Sequence, residues 1–265
     1  MNRFARAISE RLLGRQGRAP VVPGSDKSCR VPLGQRIYAV GDIHGEIRLL
    51  DAMLDFIRTD ARQAQARGLS CTAVFLGDYI DRGPDSRAVL DRLTALPPDD
   101  PVAWVCLAGN HETAMLDFLE APKQATPWLQ YGGVSTLTSY GIIPSANLTQ
   151  TRDQLAAALP QRHRDFLQEL KTSHQIGDYL FVHAGLRPGI PAHQQSAQDM
   201  LWIRGDFIDT PYWHGARVVH GHTISPEPEI LPWRIGIDVG AYATGRLCCL
   251  MLEDELCSVG FVAPR

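Results

Sequence analysis

The feature that most constrains this chain is a pattern met five times. An apolar run short enough for a strand is followed at once by a tight turn carrying Asp, Asn or His. Gly41-Asp42-Ile43-His44-Gly45 follows 37–40, and Gly77-Asp78-Tyr79-Ile80-Asp81-Arg82-Gly83 follows 72–76. Gly109-Asn110-His111-Glu112 follows 102–107, His183-Ala184-Gly185 follows 179–182, and His220-Gly221-His222-Thr223 follows 217–219. In open α/β sheets the loops beyond the strands' carboxyl ends converge on one crevice. Oxygen and imidazole donors without thiolate suit divalent metals such as manganese, iron or zinc.

Between the turns the apolar spacing is helical. Ile47, Leu50, Met53, Leu54 and Ile57 predict a helix from Glu46, with the stretch 51–66 running on to Gly68 as a stop. Pro84 is expected to begin the next helix, where a missing N–H costs least. Met115, Leu116, Phe118 and Leu119 read as core on a third. Residues 120–175 carry no ligand motif. With a helical stretch over 154–170, introduced after Asn147-Leu148-Thr149, they read as a helical insertion over about 120–175 that roofs one side of the cleft, and the aromatics of this insertion read as packing. The apolar stretches 235–239, 247–252 and 256–262 are expected to complete a second sheet.

The ordered set GDxHG, GDxxDRG, GNHE, HAG and GHT resembles the core of the PPP-type metallophosphatases, over about residues 37–252. These are bacterial-style serine/threonine protein phosphatases within the calcineurin-like metallophosphoesterases. The resemblance implies an α/β fold: a sandwich of two mixed β-sheets flanked by helices, with a small helical insertion. The domain would span 35–265, behind an arm and linker at 1–34.

The same resemblance implies two divalent metal ions, manganese foremost, with iron or zinc as alternatives. Asp42, His44 and Asp78 would hold the first; Asp78, Asn110, His183 and His222 would hold the second. A shared Asp78 makes physical sense, because a bridging carboxylate offsets repulsion between dications about 3.5–4 Å apart. The GHT pattern selects His222, with His220 behind it. Ile224 stands where many other metallophosphoesterases keep a further His, which favours the PPP type.

The implied reaction is hydrolysis of a phosphoserine or phosphothreonine monoester, in a phosphoprotein or small phosphoester, by a metal-bridging water. Arg82 and Arg204, with Asn110, would bind the phosphoryl group, and guanidinium gives those oxygens planar, bidentate donors. His111 would be the general acid and Asp81 would hold its ring. The alternative is a symmetrical dinucleoside tetraphosphate hydrolase with the same metal site. Such enzymes usually carry Ala at the position of Asp81 and Asp at that of Glu112, so both residues favour the monoesterase.

Charge sets the partners expected. A formal net charge of −3 gives no case for nucleic acid. Residues 1–30 nevertheless carry Arg3, Arg6, Arg11, Arg15, Arg18, Lys27 and Arg30 against Glu10 and Asp26. With Phe4, Ile8, Leu12 and Leu13 on one face, this stretch could form a basic amphipathic helix for weak membrane or partner contact. The plainer reading, which we prefer, is a loose tail and a Pro/Gly/Ser-rich linker. No secretory signal and no membrane-length apolar run are evident, and six cysteines in no zinc pattern read as reduced thiols of a cytoplasmic protein.

Overall fold

The computed structural model describes residues 28–263. The basic helix expected within 1–27 lies outside them. Two five-stranded mixed sheets pack face to face. The first contains β1 (Gln35–Val40), β2 (Ser70–Phe75), β3 (Val102–Cys106), β9 (Leu247–Glu253) and β10 (Leu256–Val262), in the order β10-β9-β1-β2-β3. The second contains β4 (Ser173–Ile176), β5 (Tyr179–Val182), β6 (Arg217–His220), β7 (Glu229–Ile230) and β8 (Arg234–Gly236), in the order β4-β5-β6-β8-β7. Parallel pairing of β1–β2–β3 and of β5–β6–β8 sends the ends of these strands the same way within each sheet.

Strand alternation builds the layers. Ile37, Ala39, Val74 and Leu76 face Phe181, Val219 and Ile235 between the sheets. Tyr38, Val40, Ala73 and Phe75 turn the other way, onto α1 (Ile47–Ala66) through Leu50, Met53, Leu54 and Ile57. Beyond the second sheet, Leu180, Val182 and Val218 pack on Phe207.

The chain's end departs from expectation. Of the three stretches assigned to a second sheet, only β8 joins it; β9 and β10 join the first, with β9 antiparallel to β1. The reason is two-sided burial. Leu247 and Cys249 enter the helical layer while Cys248, Leu250 and Leu252 enter the layer between the sheets, so β9 needs apolar cover on both faces.

Two helix expectations are also corrected. The helix after the second ligand turn, α2 (Ser86–Thr94), starts two residues beyond Pro84. Residues 154–170 are not one helix but parts of two, α5 (Leu148–Ala158) and α6 (Gln161–Glu169). Pro160, which cannot donate an N–H, stands between them. The start of α5 is fixed by Asn147, whose side chain accepts Gln150 N–H at 3.2 Å. The remaining helices that bear on the site are α3 (Asn110–Glu120) and α4 (Val134–Ser139). Among the described residues no helix is long and apolar enough to cross a membrane.

Candidate metal centre

The ligand turns are bent by their own functional residues. Six non-glycine positions among the described residues have positive φ. Five belong to the turns: His44 (48°), Asp78 (52°), Asp81 (72°), Arg82 (65°) and His222 (60°). Backbone of this kind costs on the order of 1–3 kcal/mol per residue and persists where its surroundings over-determine it. Glycine lets the turns interlock. A Cβ on Gly77 would lie 2.5 Å from Gly109 N, and one on Gly221 would lie 2.1 Å from Asp42 Oδ1.

The donors form two groups that share Asp78. His44, Asp78 and His111 make one; Asp78, His183 and His222 make the other. Within each, one donor atom per residue lies within 4.8 Å of the others. Asn110 adjoins the second group, its Oδ1 2.9 Å from His183 Nε2. Two of the imidazoles are set in a ligand tautomer by the backbone. His44 Nδ1 donates to Ile80 O at 2.8 Å, and His183 Nδ1 donates to Leu76 O at 2.9 Å. Their Nε2 atoms then carry lone pairs, 3.5 Å and 3.4 Å from the Asp78 carboxylate. Burial pushes His44 down to about 3 and also lowers His183 and His222, so these rings are neutral.

These residues fit divalent cations on three counts. Nε2 of His44, the lone-pair nitrogen of its tautomer, is buried without a hydrogen-bond partner. His183 Nε2 and His222 Nδ1 face each other at 3.1 Å. Asp42, Asp78 and Asp238 are buried together: burial, then Asp238 and Asp78, push Asp42 well above the usual carboxylate range, and burial first raises Asp238 to about 6. Lone pairs and crowded carboxylates of this sort are what bound cations satisfy.

Asp42 lies outside both groups: its carboxylate accepts His222 N–H at 3.1 Å. His111 stands in the first group through Nε2, 3.8 Å from Asp78, while its Nδ1 is 2.7 Å from Asp81 Oδ2. Burial would lower His111, but Asp78 and Asp81 outweigh it and raise the ring above its ordinary value. Arg82 reaches within 3.4 Å of His111 Nε2. Exposed Arg204 donates to His222 O at 3.3 Å. His220 turns away, its Nε2 3.4 Å from Arg234.

Several residues here were not singled out from sequence. Asp238 ends the apolar run after β8 and is followed by Gly240, a sixth instance of the strand-then-turn pattern hidden inside an expected strand. Trp128 and Thr136 reach Asp81 from the segment that carries no ligand motif. Tyr242 lies under Arg82, 4.9 Å from guanidinium carbon to ring centroid.

Comparison with known proteins agrees with this geometry. The family described as calcineurin-like phosphoesterase matches residues 35–233. A symmetrical bis(5'-nucleosyl)-tetraphosphatase of Nitrosospira multiformis is 30% identical over 57% of this chain and 44% of its own length. An asymmetrical bis(5'-nucleosyl)-tetraphosphatase of Bacillus anthracis is 25% identical over 85% of this chain and 94% of its own. Serine/threonine-protein phosphatase 1 of Salmonella typhimurium is 37% identical over 37% of this chain and 39% of its own. The chain thus spans less than half the length of the first and third of these relatives.

Proposed function

We propose that this chain, which belongs to the calcineurin-like phosphoesterase family and is a metal-dependent phosphoesterase, hydrolyses phosphoserine and phosphothreonine monoesters in the manner of the PPP type. The observation that carries the reading is the buried His111–Asp81 pair beside Arg82. A serine or threonine alkoxide is a poor leaving group and gains most from a positioned acid. A polyphosphate leaves as a stable anion and needs no such proton.

In this reading Asp42, His44 and Asp78 would hold one divalent ion, and Asp78, Asn110, His183 and His222 would hold the other. When bound, the two ions supply an activated water and neutralise charge on the phosphoryl oxygens. The chain's own groups do the rest. Arg82 and Arg204, with Asn110, hold the phosphoryl group, and the guanidiniums stabilise charge spread over its equatorial oxygens. Asp81 keeps a proton on His111 Nδ1, which aims Nε2 into the site as the proton donor to the departing oxygen.

The relatives named as bis(5'-nucleosyl)-tetraphosphatases, one of them matched over 94% of its length, favour a second reading: cleavage of a dinucleoside tetraphosphate at the same centre. A panel of phosphoserine and phosphothreonine peptides, p-nitrophenyl phosphate and diadenosine tetraphosphate, with manganese, iron and zinc each supplied, separates the two. Monoester turnover is expected to dominate. Rapid cleavage of the dinucleotide with negligible monoester turnover would establish the second reading instead.

A further inference from the structure

Asp81 is fully buried, and both its oxygens are tied from the segment 128–136. Oδ2, which receives His111 Nδ1 at 2.7 Å, also accepts Trp128 Nε1–H at 2.8 Å. Oδ1 accepts the Thr136 hydroxyl at 2.5 Å. Thr136 Oγ1 in turn lies 2.9 Å from Asp81 N, accepting that N–H alongside Ser86 Oγ.

The same segment grips the next residue. Arg82 N donates to Gly132 O at 3.4 Å, and Ser135 Oγ donates to Arg82 O at 3.2 Å. Asp81 and Arg82 are consecutive non-glycine residues with positive φ, so this grip bears on backbone that would otherwise relax. Two glycines permit the closeness: a Cβ on Gly132 would lie 2.7 Å from Arg82 N, and one on Gly133 would lie 2.6 Å from the Trp128 ring. Trp128 is buried against Phe118, their ring centroids 5.0 Å apart.

We propose that Trp128 and Thr136 are positioning residues for the acid step, fixing the plane of the Asp81 carboxylate so that His111 points Nε2 at the leaving oxygen. The proposal rests on the reading of His111 as the acid. A carboxylate held by one donor can turn about its last bond and carry the imidazole with it. Held at Oδ1 by Thr136 and at Oδ2 by Trp128, it offers His111 Nδ1–H a single direction. The insertion is therefore part of the active machinery, clamping the turn that carries both Asp81 and Arg82.

The test uses the full chain as Trp128→Phe, Thr136→Val and Thr136→Ser. Trp128→Phe removes the indole N–H with the ring that carries it, Thr136→Val removes the hydroxyl at nearly constant volume and with it one of the two acceptors of Asp81 N–H, and Thr136→Ser keeps the hydroxyl. The manganese-loaded enzymes are assayed on aryl phosphates graded from p-nitrophenyl to phenyl phosphate. Trp128→Phe and Thr136→Val are expected to lose kcat more steeply as the leaving group worsens, by about 10-fold more on phenyl than on p-nitrophenyl phosphate, a part of the ~10²–10⁴-fold that a positioned acid supplies. Thr136→Ser is expected to restore the wild-type gradient.

A second readout needs no metal and no turnover: the downfield Nδ1–H proton resonance of His111 in the metal-free protein. It is expected to shift upfield and exchange faster in Trp128→Phe and Thr136→Val. A loss uniform across the series, or an unmoved Nδ1–H resonance, overturns the proposal. Wild-type enzyme inert towards every aryl phosphate would overturn the monoesterase reading instead, and the resonance would still decide the positioning role.

Discussion

The Glu112 carboxylate accepts the backbone N–H of Asp78 at 2.9 Å, and this bond joins two ligand turns that are 34 residues apart in sequence. The same carboxylate accepts Tyr79 N–H at 2.7 Å, Ile80 N–H at 3.3 Å and, at the foot of its own helix, Gly109 N–H at 2.9 Å. The buried acid of the GNHE motif thus tethers the turn after β2 to the turn after β3. Glu112→Gln turns an amide towards donors that need an acceptor. Leaving a buried N–H unsatisfied costs about 2 kcal/mol, which lowers Tm by roughly 4–8 °C in a chain of this size. Thermal unfolding of the metal-free protein measures it, and a shift below a degree would mean the two turns hold without this tether.

His111→Asn removes the proton donor and leaves the phosphate clamp in place. The expected result is a fall in kcat of about 10²–10⁴-fold on phosphoserine peptides, with KM little changed. Steady-state kinetics with a peptide series distinguish this from a binding role, in which KM would rise as much as kcat fell.

These two residues were visible in the sequence because they sit inside short local motifs. So was the strand that delivers them, since a short apolar run ending in a ligand turn leaves a local signature even at the edge of a sheet. What the sequence hid is non-local. Nothing near Trp128 or Thr136 says that they meet Asp81, 47 and 55 residues away. Nothing in 247–252 says which sheet it joins, because an apolar run fits any doubly covered position and only the long-range ladder to β1, from Arg36 paired with Glu253 to Val40 paired with Cys249, decides. Asp238 escaped for a related reason: its run reads as continuous strand, and burial beside Asp42 is a property of the assembled sheets.

Removing metal should cost both activity and stability. The crowding that pushes Asp42 up, despite the His222 N–H it accepts and the nearby Arg82, is what bound cations would relieve further, so dialysis against a chelator is expected to abolish turnover and lower Tm. Adding manganese to 100 times its dissociation constant should return about 2.7 kcal/mol to the folded state. Asp78→Asn should lose turnover and also most of this manganese-induced rise in Tm, because Asp78 belongs to both donor groups. Turnover that survives both the chelator and this substitution would refute the metal assignment.

Acid should weaken the fold through His214. Both ring nitrogens are buried, the Ile190 backbone only partly offsets that burial, and Tyr212 and Phe207 lie 4.8 Å and 6.1 Å from the ring, centroid to centroid. Burial holds the folded-state value near about 4 against an ordinary 6.5. Between those values the unfolded chain binds a proton that the folded chain does not, so this group's contribution to stability is complete above 6.5 and lost as pH falls towards 4. Urea midpoints for the wild type and His214→Phe at pH 7.5 and pH 5 test the sign. Wild type should fall more than the variant, and an equal fall would place the acid sensitivity elsewhere.

Tyr242 should tune the site through Arg82. Its ring lies 4.9 Å from the Arg82 guanidinium carbon, and its edge meets His44 at 5.4 Å, while the residue remains partly exposed. A cation over an aromatic face gains about 0.5–2 kcal/mol, more as water is excluded. That attraction holds the guanidinium beside His111 before substrate arrives. Tyr242→Leu keeps some bulk but removes the negative ring face, so kcat/KM for phosphomonoesters is expected to fall about 3- to 10-fold, roughly 1.4 kcal/mol per decade. Tyr242→Phe keeps the face and should stay within about twofold of wild type. If Phe fell as far as Leu, the hydroxyl would be the active part and the guanidinium would owe its position to other contacts.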